Sequence, residues 1–199
     1  MSDISEKISE LVETSNESRL NSKIAIIVAL SASLMAIFNI KDNNIVQAMS
    51  QAQAHTIDAW SYYQAKSTKQ HIAENSLNQL QIQLLLTENA SLEVKKKIQR
   101  IAEETKTKIE KYEKEKTEIK KNAEAFQREY DNLNIHDDQF DLAEALISLG
   151  LSIFGITALV QKKPLFYFGI VLSSLGAFFG LAGFLGWSIH PEWLTQILG

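Results

Sequence analysis

The sequence predicts an all-α membrane protein with three transmembrane helices and a long antiparallel, coiled-coil-like helical hairpin between the first and the second. Three observations lead to this prediction. The 199 residues contain three apolar segments, all eight glycines lie from Gly150 onward, and both prolines lie in the last quarter of the chain. Because turns and β-bulges usually need glycine or proline, the first three quarters of the chain should be helical.

The composition argues against several classes of function. The chain has no cysteine, which excludes disulfide frameworks, thiolate metal sites and cysteine nucleophiles. The formal net charge is -4, because Asp and Glu match the many lysines of the middle region. That balance argues against a nucleic-acid partner. No catalytic motif is recognisable, so we expect a non-enzymatic protein without catalytic residues, metal ligands or a cofactor.

The first expected elements are an amphipathic N-terminal helix at 1–22 and a transmembrane helix at 23–41. The uncharged run from Ile24 to Ile40 is roughly 17 residues long, the lower limit for crossing a bilayer. A signal peptide is the alternative interpretation of this run. The acid-rich leader before it, and the lack of a small-x-small cleavage site directly after it, favour a retained anchor.

An extramembrane helical hairpin is expected at 42–141. Asp42 and Asn43 should separate it from the first span, and the turn is expected near 87–91, where Ser91 can cap the returning helix. The predicted seam of the returning helix contains an eleven-residue stutter, an interruption of the heptad spacing. Its apolar positions are Val94, Ile98, Ile101, Thr105, Ile109 and Tyr112. Such a narrow seam is marginal for a lone hairpin, so we expect partner helices.

Two further transmembrane helices are expected at 142–161 and 164–187, followed by an interfacial tail at 188–199. The short link between them, containing Lys162 and Lys163, requires an antiparallel membrane hairpin. Positive residues near span ends favour the cytoplasmic side. The N-terminus and this link should therefore be cytoplasmic, with the helical hairpin and the C-terminus on the opposite side of the membrane.

Each apolar segment carries a face of small residues, which in lipid marks helix contacts. The faces are Ala25, Ala29, Ala32 and Ala36 in the first segment, Ala145, Ser148, Ser152 and Gly155 in the second, and Gly169, Ser173, Gly176, Gly180 and Gly183 in the third. The third face is the most continuous. It predicts either packing within a three-helix bundle or packing that also joins subunits.

A segment rich in aromatic and polar residues follows the first apolar segment. It contains Ala54, Asp58, Trp60, Tyr63, Gln64, Ala65, Lys66 and Lys69. This run resembles the signature of the DUF4337 family of bacterial membrane proteins, a domain of unknown function. The resemblance implies a location in the bacterial inner membrane, a helical middle and a terminal membrane hairpin, and it implies no activity. From the residues themselves, packing near the membrane surface is favoured over a metal site at His55 and Asp58, which would need another strong ligand.

An acidic cluster precedes the second transmembrane segment. Asp137, Asp141 and Glu144 repeat by four and three residues, so they share one helical face. In a symmetric oligomer they could form rings that select cations. Alternatively, they could cap the N-terminus of the second transmembrane helix and interact favourably with its dipole; a metal site is a third, minor alternative.

These features together favour a membrane scaffold that forms a homo-oligomer through its helical hairpin and its small-residue membrane faces. The alternative is an oligomeric cation channel or transporter component with an acidic mouth. The expected partners are membrane lipid and further copies of the chain.

Overall fold

A computed structural model describes the backbone of residues 2–87, 90–187 and 189, and within these ranges the side chains from residue 17 onward. It contains three α-helices, α1 (Ser2–Leu86), α2 (Leu92–Val160) and α3 (Lys163–Phe184). The described residues include no β-strand, which confirms the all-helical prediction. Each of the three helices contains a segment long and apolar enough to cross a membrane.

The first two helices are longer than the sequence predicts. The expected break at Asp42 and Asn43 is absent, and α1 also continues without interruption from Ser2 through residue 22. The prediction failed because polar side chains can bond along a helix instead of capping a new one. Asn43 Nδ2 donates to the carbonyl oxygen of Asn39, one turn earlier, at 2.7 Å.

The chain divides into two compact units. We call residues 1–48 and 132–199 the apolar unit, because it contains all three apolar segments, and residues 49–131 the arm. In the apolar unit the small-residue face of α3 is buried. A Cβ added at Gly176 would lie 2.8 Å from both the Ala143 carbonyl oxygen and Ile147 Cγ1. The face therefore packs within the chain.

The small-residue faces of the other two helices behave differently. On α2, Ala145, Ser152 and Gly155 are exposed, and the buried face contains Ala143, Ile147, Gly150, Phe154 and Thr157. On α1, all four alanines of the predicted face are exposed, while Ile24 and Phe38 point inward. The predicted face of α1 is thus unused within the chain, whereas that of α2 is used at half-buried Ser148, whose Oγ donates to Met35 Sδ at 3.6 Å.

A buried glutamine fixes the end of α3. The side chain of Gln139, only 1% exposed, donates from Nε2 to the carbonyl oxygens of Trp187 at 2.7 Å and Ile189 at 2.6 Å. The helix α3 ends at Phe184, three residues before the predicted end at 187. Gly186, just beyond it, adopts a left-handed φ of 72°. Apart from Ile189, the predicted interfacial tail lies outside the described residues.

The arm is an antiparallel pair of helical segments, Met49–Leu86 and Leu92–Asp131; between them, the amide of Ala90 donates to the carbonyl oxygen of Thr87 at 3.0 Å. The amide of Val94 donates to Ser91 Oγ at 3.4 Å, so Ser91 caps α2. The inward positions of α1 are Met49, Ala52, Thr56, Ala59, Tyr63, Lys66, Gln70, Ala73, Leu77, Leu80 and Leu84. Those of α2 are Ile98, Ala102, Thr105, Ile109, Tyr112, Lys116, Ile119, Ala123, Phe126 and Tyr130.

Both sets of inward positions step by four and three residues without interruption. The predicted stutter is wrong because Ala102, rather than Ile101, faces the partner segment; Ile101 is 39% exposed and Val94 is 45% exposed. A small alanine at the closest approach allows the two backbones to come together. The seam is therefore regular, narrow and rich in small or polar residues.

Candidate functional site

Lys66 lies at the centre of the contact between the two arm segments. Its Nζ donates to Glu115 Oε2 at 2.6 Å, and only 13% of its side chain is exposed. The ammonium also lies 5.3 Å from the ring centroid of Tyr62 and 5.5 Å from that of Tyr112. Both distances suit cation–π attraction. The Glu115 hydrogen bond raises the pKa of Lys66 and lowers the pKa of Glu115.

A second lysine makes the reciprocal contact. Lys116, on α2, lies 5.4 Å from the ring centroid of Tyr63 on α1 and donates to Gln70 Oε1 at 3.1 Å. The amide of Gln70, a buried residue, donates in turn to Glu74 at 2.9 Å, and this bond is the main cause of the lowered pKa of Glu74. Each segment thus places a lysine over a tyrosine of the other.

We call this arrangement the lysine clamp, formed by Lys66, Glu115, Tyr112, Lys116, Tyr63 and Gln70. Half-buried charges are costly unless they are paired and hydrogen-bonded, so a shift of one segment along the other would separate them. The clamp accordingly specifies the register of a seam whose apolar residues are few. Lys66 is paired with Glu115, while Lys116 donates to Gln70 and lies 3.7 Å from Glu113.

Six of the eight signature residues, those other than Ala54 and Ala65, have different roles in the structure. Tyr63 and Lys66 belong to the clamp, and half-buried Trp60 packs against Tyr63 with ring centroids 5.6 Å apart. Asp58, Gln64 and Lys69 are exposed. Tyr112 was predicted as a seam position. The sequence did not single out Glu115 and Lys116, because they lie in a run of many lysines and glutamates with no pattern that marks the inward ones.

His55 contacts the facing segment of the arm. Its ring packs against Phe126, with centroids 5.1 Å apart, and exposed Asp58 lies one turn further along. Among the residues that the structure describes, no group of three or more histidine, aspartate or glutamate side chains is arranged to hold a metal ion. Packing between the segments is therefore the observed role of this histidine.

The predicted acidic cluster gains a member from α1. Asp42 forms a side-chain hydrogen bond with Asp137. Its other oxygen, Oδ1, is buried and makes no hydrogen bond to any described group. Two carboxyl groups can share a hydrogen bond only if one of them is protonated. We call Asp42, Asp137 and Asp141 the carboxyl cluster; Asp138 and Glu144 lie beside it.

Burial and mutual repulsion favour protonation of this cluster. Desolvation, followed by the charges of Asp137 and Asp141, raises the pKa of Asp42 from 3.8 to about 6. Burial is also the main cause of the raised pKa of Asp137 and of Asp141. The hydrogen bond acts in opposite directions on its partners, raising the pKa of Asp42 and lowering that of Asp137. Asp42 is therefore the carboxyl group of this cluster whose pKa both burial and the hydrogen bond raise.

The capping interpretation of Asp137, Asp141 and Glu144 is wrong. Because α2 begins at Leu92 and runs without interruption to Val160, these residues lie in the middle of a helix. Their backbone amides already have partners within the helix, and no N-terminal dipole acts on them. Asp42 was missed because it was interpreted as part of a helix break; its polar neighbours Asn43 and Asn44 concealed its position on a continuous helix.

Comparison with known proteins confirms the resemblance found in the sequence. The family described as "Domain of unknown function (DUF4337)" matches residues 20–186, which is most of the chain. The chain belongs to this family. No curated protein and no solved structure matches it.

The lysine clamp predicts unequal effects for two lysines of the signature. Lys66→Met should lower the melting temperature by several degrees, because Glu115 would lose its hydrogen bond and keep only weaker attractions, to Lys111 at 3.9 Å and to Lys69. Lys69→Met, at an exposed position without a hydrogen bond to Glu115, is the matched control and should lower the melting temperature much less. Circular dichroism of the purified protein in detergent measures both. Equal melting temperatures for the two variants would contradict the clamp.

The carboxyl cluster predicts a pH-dependent stability. Because the pKa of Asp42 is raised in the folded state, its stabilising effect is complete below about pH 4 and is lost as the pH rises through about 6. Asp42→Asn should reduce this loss by on the order of 1 kcal/mol, since solvent screens a half-buried carboxyl. Denaturant unfolding between pH 4 and pH 8 measures the difference.

The exposed Asp58→Asn variant is the control for this experiment and should follow the wild-type pH dependence. If Asp42→Asn also follows it, the folded protein does not hold Asp42 in its protonated form.

Proposed function

We propose that this chain, as a member of the DUF4337 family, is a non-enzymatic scaffold of the bacterial inner membrane that assembles into a homo-oligomer. In this proposal the segments 23–41, 142–161 and 164–187 cross the bilayer. The N-terminus is cytoplasmic, and the arm, a coiled-coil hairpin, lies on the opposite side with the C-terminus. Its partners are membrane lipid and further copies of the chain.

The observation that carries the oligomer is the exposed alanine face of α1. Ala25, Ala29, Ala32 and Ala36 repeat by four and three residues and face away from the other helices of the apolar unit. In lipid, small residues stabilise helix pairs because they let two backbones approach closely. The glycine face of α3 is already occupied within the chain. The alanine face of α1 is thus the best remaining surface for a second copy.

The charge distribution of the arm also supports assembly. The segment Met49–Leu86 has only four charged residues, whereas Leu92–Asp131 has twenty-two. The outer face of the first segment exposes Ile57 by 59% and Ile72 by 61%. A weakly charged face with exposed isoleucines is suited to a partner helix, while the second segment is suited to water. The uninterrupted four-three spacing of the seam supports the coiled coil.

Disulfide cross-linking tests the oligomer, because the natural chain has no cysteine and single-cysteine variants give an unambiguous signal. We expect Ala29→Cys and Ala36→Cys to form disulfide-linked dimers in native membranes under mild oxidation. Leu30→Cys and Ile37→Cys are matched controls, since these exposed residues lie on another face of the same helix. They should remain mostly monomeric.

Equal cross-linking at all four positions would indicate random collision, and no dimer at Ala29 or Ala36 would remove the alanine face as an interface. Either result contradicts the proposed assembly.

The carboxyl cluster favours a second candidate, an oligomeric cation channel or transporter component. Asp42, Asp137 and Asp141 lie together beside the apolar segments, and Glu144 follows one turn further along α2. Partly buried carboxyl groups next to membrane spans often serve ion or proton pathways. Because Asp137, Asp141 and Glu144 lie inside α2 and do not cap it, the ion-related interpretation is stronger than it was from the sequence alone.

Ion flux through reconstituted liposomes tests the second candidate. A channel should give cation or proton flux that Glu144→Ala or Asp42→Asn reduces severalfold, because each removes a carboxyl group from the mouth. The exposed Asp58→Asn variant is the control. Wild-type flux no greater than that of Glu144→Ala, for several cations and for protons, would exclude this function.

A further inference from the structure

The most exposed apolar residues outside the three apolar segments lie together at the end of the arm. Leu86 is 80% exposed, Leu85 74% and Leu92 69%. Among the described apolar residues outside the three apolar segments, the next most exposed is Ile72 at 61%. The three leucines flank the turn that joins the two arm segments. Turns usually carry polar residues, and clustered exposed leucines mark contact sites more often than single ones do.

The packing of the arm leaves these leucines facing outward. A cavity of about 440 Å³ lies one to four turns from the turn, lined by both segments. Leu80, Leu84 and Ile98 line it, and they are half-buried. The two segments are thus loosely packed near the end of the arm, and Leu85, Leu86 and Leu92 lie outside the seam. With exposed fractions of 69% or more, the leucines form a convex apex rather than a cleft.

Basic residues follow the apex directly. Lys95, Lys96 and Lys97 occupy the first turns of α2, and Lys96 and Lys97 are exposed. Arg100 is nearby and is partly neutralised by Glu104, at 3.2 Å. Over residues 85–100 four basic residues stand against two acidic ones, Glu88 and Glu93, so the formal charge of this end of the arm is +2 before the Arg100–Glu104 pair is counted. We call Leu85, Leu86, Leu92, Lys96 and Lys97 the arm tip.

We propose that the arm tip binds an anionic lipid surface, with its leucines inserted among the headgroups and its lysines against the phosphates. Apolar side chains combined with nearby lysines are the features that hold peripheral segments at anionic membranes. A convex apex suits a fluid surface, which closes around it without a preformed pocket. A second arm tip does not suit it, because two copies would bring their lysines together.

This inference deepens the proposed scaffold and rests on it only in taking the apolar segments to be embedded in a bilayer. The scaffold would then have two attachments, its membrane spans and its tip. The arm segment Met49–Leu86 spans about 57 Å at 1.5 Å per residue, which sets the reach between the two ends of the arm.

Vesicle flotation tests the proposal. The full chain is placed in nanodiscs of phosphatidylcholine alone, so that its own bilayer is neutral, and is mixed with vesicles of either phosphatidylcholine or 70% phosphatidylcholine with 30% phosphatidylglycerol, on the order of physiological charge. We expect the protein to float with the anionic vesicles and not with the neutral ones. Raising the salt concentration should weaken binding, because it screens the lysines.

Two pairs of variants separate the tip from the rest of the arm. Leu85→Ser with Leu86→Ser should weaken binding about tenfold or more, while Ile57→Ser with Ile72→Ser, of similar exposure and chemistry, should not. Lys96→Glu with Lys97→Glu should weaken it more than tenfold, at roughly fivefold for each lysine lost. Lys114→Glu with Lys121→Glu, exposed in the middle of the arm, is the matched charge control.

Circular dichroism verifies that each variant stays helical. No flotation with either vesicle, equal flotation with both, or equal effects of tip and control variants would overturn the proposal; the first result would favour a protein partner instead. If flotation fails while Ala29→Cys still forms dimers, the tip inference fails and the scaffold stands.

Discussion

The apolar unit depends on the close approach of α3 to its neighbours. Gly169, Gly176 and Gly180 place the backbone of α3 against Phe154, Ile147 and Phe38, where a single methyl group would collide. Close backbone approach of this kind gives extensive van der Waals contact between helices. The small-residue face of α3 is therefore used within the chain, whereas the four alanines of α1 remain exposed.

Polar groups serve a different purpose in each unit. In the arm, Lys66 and Lys116 are satisfied by groups of the facing segment, so they select one register at little gain in stability. In the apolar unit, burial and the neighbouring carboxylates raise the pKa of Asp42 to about 6. The charged groups of the arm are paired and hydrogen-bonded, whereas the buried Oδ1 of Asp42 makes no hydrogen bond to any described group.

The sequence predicted the helical class, the three apolar segments, the turn and most seam positions, because glycine, proline and apolar spacing report directly on the backbone. It failed where a residue type has two uses. Asp42 and Asn43 are compatible both with the end of a helix and with its interior, and the sequence alone does not distinguish the two. Ala102 and Ile101 differ by 100° around the helix, and hydrophobicity favoured the wrong one. Glu115 and Lys116 lie in a run of charged residues that gives no sign of which few face inward, whereas Tyr112 was predicted as a seam position.

Gln139 has a consequence for how α3 can move. The small residues of α3 recur every three or four positions, so sliding α3 along α2 by two turns would again oppose small residues and bulky ones. A periodic surface of this kind permits several alignments of nearly equal energy. Gln139 has no repeat: its amide meets the carbonyls of Trp187 and Ile189 in one alignment only. This single buried side chain therefore fixes the position of α3 along α2.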